Sequence, residues 1–277
     1  MTGRSGIGVM KAVLAPSSRA RIVARLRTAG CVSAEDEARL LIESAGTPTE
    51  LAVMVDRRVA GEPLEHVLGW AEFCGLRIAL APGVFVPRRR TEFLVDQARM
   101  LAGQIVGSRR PVVVDLCCGS GAVGAALAAA LDVKLYAVDV DPEAVRCARR
   151  NVGPVGGVVY AGDLYAPLPA DLHGRVEVLV ANAPYVPTND IRLLPLEARL
   201  HEPRAALDGG ADGLDVLRRI AAEAPRWLAP GGHLLVETSE LQAPQMTEVV
   251  GGAGMIPRII SSEELNAHIV VGTRPAR

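Results

Sequence analysis

Hydrophobic and polar positions change rhythm twice along this chain. From Ser17 to Gly61 apolar residues recur at helical spacing, as in Ile22, Val23 and Leu26, then Leu40 and Leu41, then Leu51, Val55 and Val59. Start signals divide the stretch into three short helices. Ser33 has Asp36 three positions on, and Thr47-Pro48 has Glu50 behind it, which supplies a cap, a proline at the first helical position and a carboxylate able to reach back. Between Gly61 and Arg90, glycine and proline punctuate the short runs Leu76 to Leu80 and Val84 to Val86, which predict a hairpin. Beyond it, apolar runs at Val112 to Val114, Leu135 to Val138, Val158 to Tyr160, Val176 to Val180 and Leu234 to Val236 alternate with helical stretches. Apolar strands separated by helices imply a mostly parallel sheet covered on both faces. Arg258 to Ile260 and His268 to Val271 lie close enough for a terminal antiparallel pair. The expected division is a helical domain over 1–74, a linking hairpin over 75–90 and an α/β domain over 91–277.

The first of these strands runs straight into candidate chemistry. Val112 to Leu116, Cys117, Cys118, Gly119, Ser120 and Gly121 spell a strand, a glycine turn and a helix start. Glycine there permits positive φ and close approach to a ligand, and the helix start offers free N–H groups. Asp139 closes the second strand eighteen positions past Gly121, where a carboxylate can accept ribose hydroxyls, with Val140 beside it and Asp141-Pro142-Glu143 opening a helix. Asp163 follows the third strand and could meet an adenine amine. Cys117 and Cys118 read as small apolar packing residues, since no adjacent base suggests a thiolate. Positions 119 to 124 also satisfy the dinucleotide fingerprint, so a nicotinamide oxidoreductase stays open at this point.

Composition narrows the partners. The chain is 49% hydrophobic and 22% charged with a formal net charge of -1, a balance that fits a folded domain and disfavours binding nucleic acid through phosphates. Five cysteines without zinc-type spacing point to a reduced, cytoplasmic protein without a metal. The apolar stretch near the beginning is broken by Lys11, and no run is long enough to span a membrane.

After the fourth strand stands Asn182-Ala183-Pro184-Tyr185, at the sheet edge where open parallel sheets bind ligands. With it the chain resembles the HemK-type amide-nitrogen methyltransferases that modify peptide release factors, whose motif is Asn-Pro-Pro-Tyr. The resemblance extends over Gly61 to Leu64, Gly69, Phe73, Val86-Pro87-Arg88, Thr91-Glu92 and Glu202 to Leu214. It implies a Rossmann-like class I methyltransferase domain, with a seven-stranded sheet, behind a small helical substrate-recognition domain. It also implies that Asp115, Cys117, Cys118, Gly119, Ser120, Gly121, Asp139, Val140, Asp163, Leu164 and Asn182 surround S-adenosylmethionine. Asn182 to Tyr185 would hold the acceptor glutamine, with Arg88 and Glu92 on the substrate side. The implied partner is a protein, such as a release factor presenting a Gly-Gly-Gln loop. Methylation of DNA adenine, or cofactor binding without catalysis, remain the competing readings. Two departures stand out. Ala183 takes the place of the family's first proline, and Arg89 and Arg90 replace a proline and a glutamate, adding positive charge where a partner would dock.

Overall fold

The computed structural model describes residues 16–104 and 110–276. The stretch around Lys11 and the outermost residues of the expected domains lie outside the described residues. The chain divides into two compact units, with the division between Gly69 and Trp70.

The first unit is helical, with α1 (Pro16–Thr28), α2 (Ala34–Ser44), α3 (Pro48–Val59) and a short α4 (Leu64–Leu68). Leu26, Leu41, Leu51 and Val55, all from the periodic positions, lie in its core together with Ala38. The Thr47 hydroxyl accepts the Glu50 N–H at 3.1 Å and Glu50 in turn accepts the Gly46 N–H at 2.7 Å, so this start signal works as its residues imply. Ser33 stands at the N-cap of α2, yet its side chain makes no capping bond.

The hairpin differs from expectation. Its strands are β1 (Trp70–Phe73) and β2 (Leu76–Ala79), paired antiparallel, and Val84 to Val86 forms no strand. The turn consists of Cys74 and Gly75 at φ 49° and 72°. A two-residue hairpin turn needs positive φ, and a cysteine gives no sign in the sequence that it will adopt it. The pairing therefore covers 70–79 rather than 75–90.

The second unit continues with α5 (Glu92–Gly103), β3 (Val112–Leu116), α6 (Ala122–Ala130), β4 (Lys134–Asp139), α7 (Pro142–Val152), β5 (Val158–Ala161) and β6 (Val176–Ala181). It ends with α8 (Leu196–His201), α9 (Asp215–Trp227), β7 (Leu228–Thr238), α10 (Ala243–Gly252), β8 (Ile256–Ser262) and β9 (Ala267–Thr273). The seven strands are ordered β5-β4-β3-β6-β7-β9-β8, parallel from β5 to β7, with β9 antiparallel to both neighbours. Successive strand residues feed opposite faces: Val112, Val114 and Leu116 join one core with Leu179 and Val236, while Val113 joins the other with Val178 and Leu235. This is the Rossmann-like class I methyltransferase architecture that the sequence implies.

Strand order also positions the chemistry. The chain runs outward from β3 through β4 and β5, then returns to β6 on the other side of β3. At such a switch point the loops diverge and leave a crevice at the carboxyl ends of the strands. Leu116 is level with Ala181 on β6 and with Val138 on β4. The glycine loop, the Asp139 segment and the Asn182 segment therefore leave neighbouring strands at one height.

Candidate active site

A cavity of about 200 Å³ opens at this edge. Cys117 to Ser120, Asp139 to Asp141, Gly162 to Leu164, Asn182 and Pro184 contribute to its wall, so most of the expected cofactor residues are brought together. Gly121, Ala183, Tyr185, Arg88 and Glu92 are not on the wall.

The glycine loop is held from two sides. Gly119 turns at φ 55°, and its N–H donates to Asp139 Oδ2 at 2.7 Å, while Asp139 Oδ1 accepts the Asp141 N–H at 2.9 Å. A carboxylate offers about four acceptor positions, so Asp139 keeps capacity for ribose hydroxyls. Burial pushes its pKa up against the opposing pull of those backbone donors. On the far side, Asn151 of α7 donates to the Ser120 carbonyl at 2.8 Å and bonds both the N–H and the carbonyl of Ala79, tying the loop to β2. Nothing in the spacing marks Asn151 for this task. Gly121 lies against α7: a Cβ there would come within 3.2 Å of Ala148, and its φ of 76° would strain any side chain.

Electrostatically the cavity is acidic. Asp115, Asp139, Asp141 and Asp163 line it against a single guanidinium, that of Arg219. Asp115 is fully buried, accepts the Gly124 N–H at 2.9 Å, and has its pKa raised by desolvation to about 7. With Asp115 held near neutrality and Asp163 paired with Arg219, Asp139 and Asp141 are left to give the lining a negative balance, which suits a cationic ligand better than a pyrophosphate. Asp163 pairs with Arg219 at 2.5 Å, with both side chains about half exposed, so the pair can be exchanged for a ligand at little cost. Burial raises the thiols of Cys117 and Cys118 away from thiolate character, consistent with packing roles.

At the acceptor end, Asn182 donates Nδ2–H to Thr91 Oγ1 at 3.2 Å, and no described residue donates to its Oδ1. Ala183, next in the chain, is buried. The Tyr185 hydroxyl donates to Glu237 Oε1 at 3.1 Å and accepts from Arg90 at 2.7 Å. Arg88 and Glu92, expected on the substrate side, both have partners within the protein. Arg88 donates to both oxygens of the buried Glu202 at 2.6 Å, and Glu92 accepts the Cys74 N–H at 2.9 Å, so both are committed within the protein. Burial raises the Glu202 pKa, with Arg88 opposing. Arg90, although 44% exposed, reaches Tyr185 and Glu237, and Arg89 is exposed as well. Glu237, the penultimate residue of β7, escapes the sequence pattern, although an acid closing an apolar strand is the same signal that marks Asp139.

Residues 75–210 match the family described as Methyltransferase small domain. A release factor glutamine methyltransferase of Geobacter sulfurreducens is 38% identical over 82% of this chain and 79% of its own length. The protein of the same name from Mycolicibacterium smegmatis is 36% identical over 99% and 98% of the two chains. Among solved structures, a methyltransferase from Pyrococcus furiosus covers 79% of this chain and 97% of its own at a TM-score of 0.52 and 18% identity, which speaks to the fold alone.

Proposed function

The chain belongs to the release factor glutamine methyltransferase family, and from that premise we propose that it transfers a methyl group from S-adenosylmethionine to the side-chain amide nitrogen of a release factor glutamine. The observation that carries the reading is the free Oδ1 of Asn182, held by Thr91 on the wall of the same cavity as the glycine loop. The cavity fits the cofactor. Asp139 suits the ribose hydroxyls, Asp163 the adenine amine, Val140 and Leu164 the flat base, and the acidic lining the positive charge. The chemistry supplied there by bound S-adenosylmethionine is an electrophilic methyl group on a sulfonium sulfur.

The work left to the chain is positioning. An amide nitrogen is a poor nucleophile because its lone pair is shared with the carbonyl. Asn182 Oδ1 accepts one amide N–H and the Ala183 carbonyl the other, which pins the nitrogen with its face toward the methyl group. Asn182 Oδ1 and the Ala183 carbonyl would keep both N–H groups of the amide engaged while it takes up the methyl group that bound S-adenosylmethionine would supply, and one amide proton would then leave to solvent. Such alignment can supply ~7–11 kcal/mol, so no strong general base is needed. Pro184 lies on the same wall.

The helical unit ending at Gly69 is assigned to recognition of the protein substrate, supported by its own core and by the exposed Val32 and Val53. A release factor as acceptor puts the reaction in the cytoplasm. No helix among the described residues is long and apolar enough to cross a membrane. The relatives lend no support to DNA adenine methylation, nicotinamide chemistry or a non-catalytic module. Incubating the protein with radiolabelled S-adenosylmethionine and a purified release factor, beside the same factor with its Gly-Gly-Gln glutamine replaced, tests the proposal. Label confined to the unaltered factor supports it, and equal labelling of both contradicts it.

A further inference from the structure

One short turn, the 3-10 segment Arg89–Thr91, reaches both ends of the acceptor loop. Thr91 accepts from Asn182 at one end, and Arg90 Nη2 donates to the Tyr185 hydroxyl at the other. Arg90 Nε also donates to Glu237 Oε1 at 3.2 Å, the same oxygen that receives the Tyr185 hydroxyl proton. The tyrosine hydroxyl is therefore engaged as donor and as acceptor, and its ring is fixed by two charged groups as well as by packing. The Glu237 side chain is 2% exposed and that of Arg90 44%. Glu237 Oε2 is buried without a partner, so Arg90 supplies the counter-charge that this carboxylate has among the described residues.

We propose that Arg90 is a positioning residue for methyl transfer: by fixing Tyr185 it holds the Asn182–Tyr185 loop in the shape that receives the acceptor amide. This rests on the methyltransferase reading above. The restraint matters more here because Ala183, although buried and restricted by the following Pro184, lacks the ring that would lock its own φ. A loop that shifts by about 1 Å can lose ~10²-fold in rate, which makes the second anchor consequential. Arg90, Tyr185 and Glu237 all lie off the cavity wall, so the effect should fall on the acceptor and not on the cofactor.

The test compares Arg90→Ala and Arg90→Lys, each with Ala183 retained and with Ala183→Pro, in the full chain. Arg90→Ala should lower kcat/KM for the protein acceptor ~10–100-fold while the cofactor Kd stays within about twofold. Arg90→Lys should recover part of the loss, and Ala183→Pro should shrink it. An unchanged kcat/KM, an equal fall in cofactor affinity, or no recovery by lysine would overturn the proposal. Should the wild type itself fail to methylate the factor, the functional reading falls, and the positioning claim is judged separately by ring-labelled tyrosine spectra. With four tyrosines in the chain, Tyr185→Phe assigns the signal. Arg90→Ala should broaden or shift the Tyr185 signal, and a signal that does not move overturns the claim.

Discussion

A side-chain carbon added at Gly121 would stand 2.7 Å from Val152 Cγ2, and 3.2 Å from the Ala148 backbone behind it. Gly121 thus lets α6 close on α7 and needs positive φ as well. Gly119, also at positive φ, has open space around it. Gly121→Ala should cost about 2–5 kcal/mol, adding overpacking to left-handed strain, whereas Gly119→Ala should cost about 1–2 kcal/mol from strain alone. Urea unfolding of both variants checks this, and equal losses would return Gly121 to the ligand side.

Asp115 gives the chain a pH-dependent weakness. Its carboxyl is held up to about 7 from an ordinary 3.8, so between those values the folded chain keeps a proton that the unfolded chain has lost. The group's contribution is full below about pH 4 and is lost as pH rises toward 7, a change on the order of 4 kcal/mol. Asp115→Asn keeps an acceptor for the Gly124 N–H but does not titrate. The stability of the variant relative to wild type should therefore rise between pH 4 and 7, read by thermal unfolding without cofactor. A difference that stays flat over this range contradicts the assignment.

Asp139 serves loop and ligand together. Asp139→Ala should weaken S-adenosylmethionine binding by about 1.5–3 kcal/mol for each charge-assisted hydrogen bond lost. Calorimetry on the folded variant measures it. Unaltered affinity would leave Asp139 with the Gly119 and Asp141 N–H groups as its partners and no part in holding the ligand.

Much of this arrangement is legible in the sequence because it depends on local signals. Continuous apolar runs fix β3, β4 and β6, and the polar residues that end them, Asp139 and Asn182, fall at the binding edge by topology. What escapes has no local signature. Cys74 turns the hairpin at a φ that a cysteine rarely takes, and Gly121 reads as a ligand glycine although α7 packs against it. Arg90 and Glu237 are 147 positions apart, so an arginine that reads as exposed docking charge is half inside the fold. Arg88 and Glu92 likewise find partners, Glu202 and Cys74, that their own segment does not reveal.

The central claim, an acceptor amide pinned by Asn182, is tested most directly by mapping the transferred methyl on a release factor by tandem mass spectrometry, with wild type and with Asn182→Ala. The added methyl should lie on the side-chain nitrogen of the Gly-Gly-Gln glutamine. Asn182→Ala should slow its appearance by about 10²–10³, as expected for loss of a transition-state hydrogen bond, while cofactor affinity falls far less. A methyl group on lysine, arginine or nucleic acid, or an Asn182→Ala variant as fast as wild type, would contradict the account.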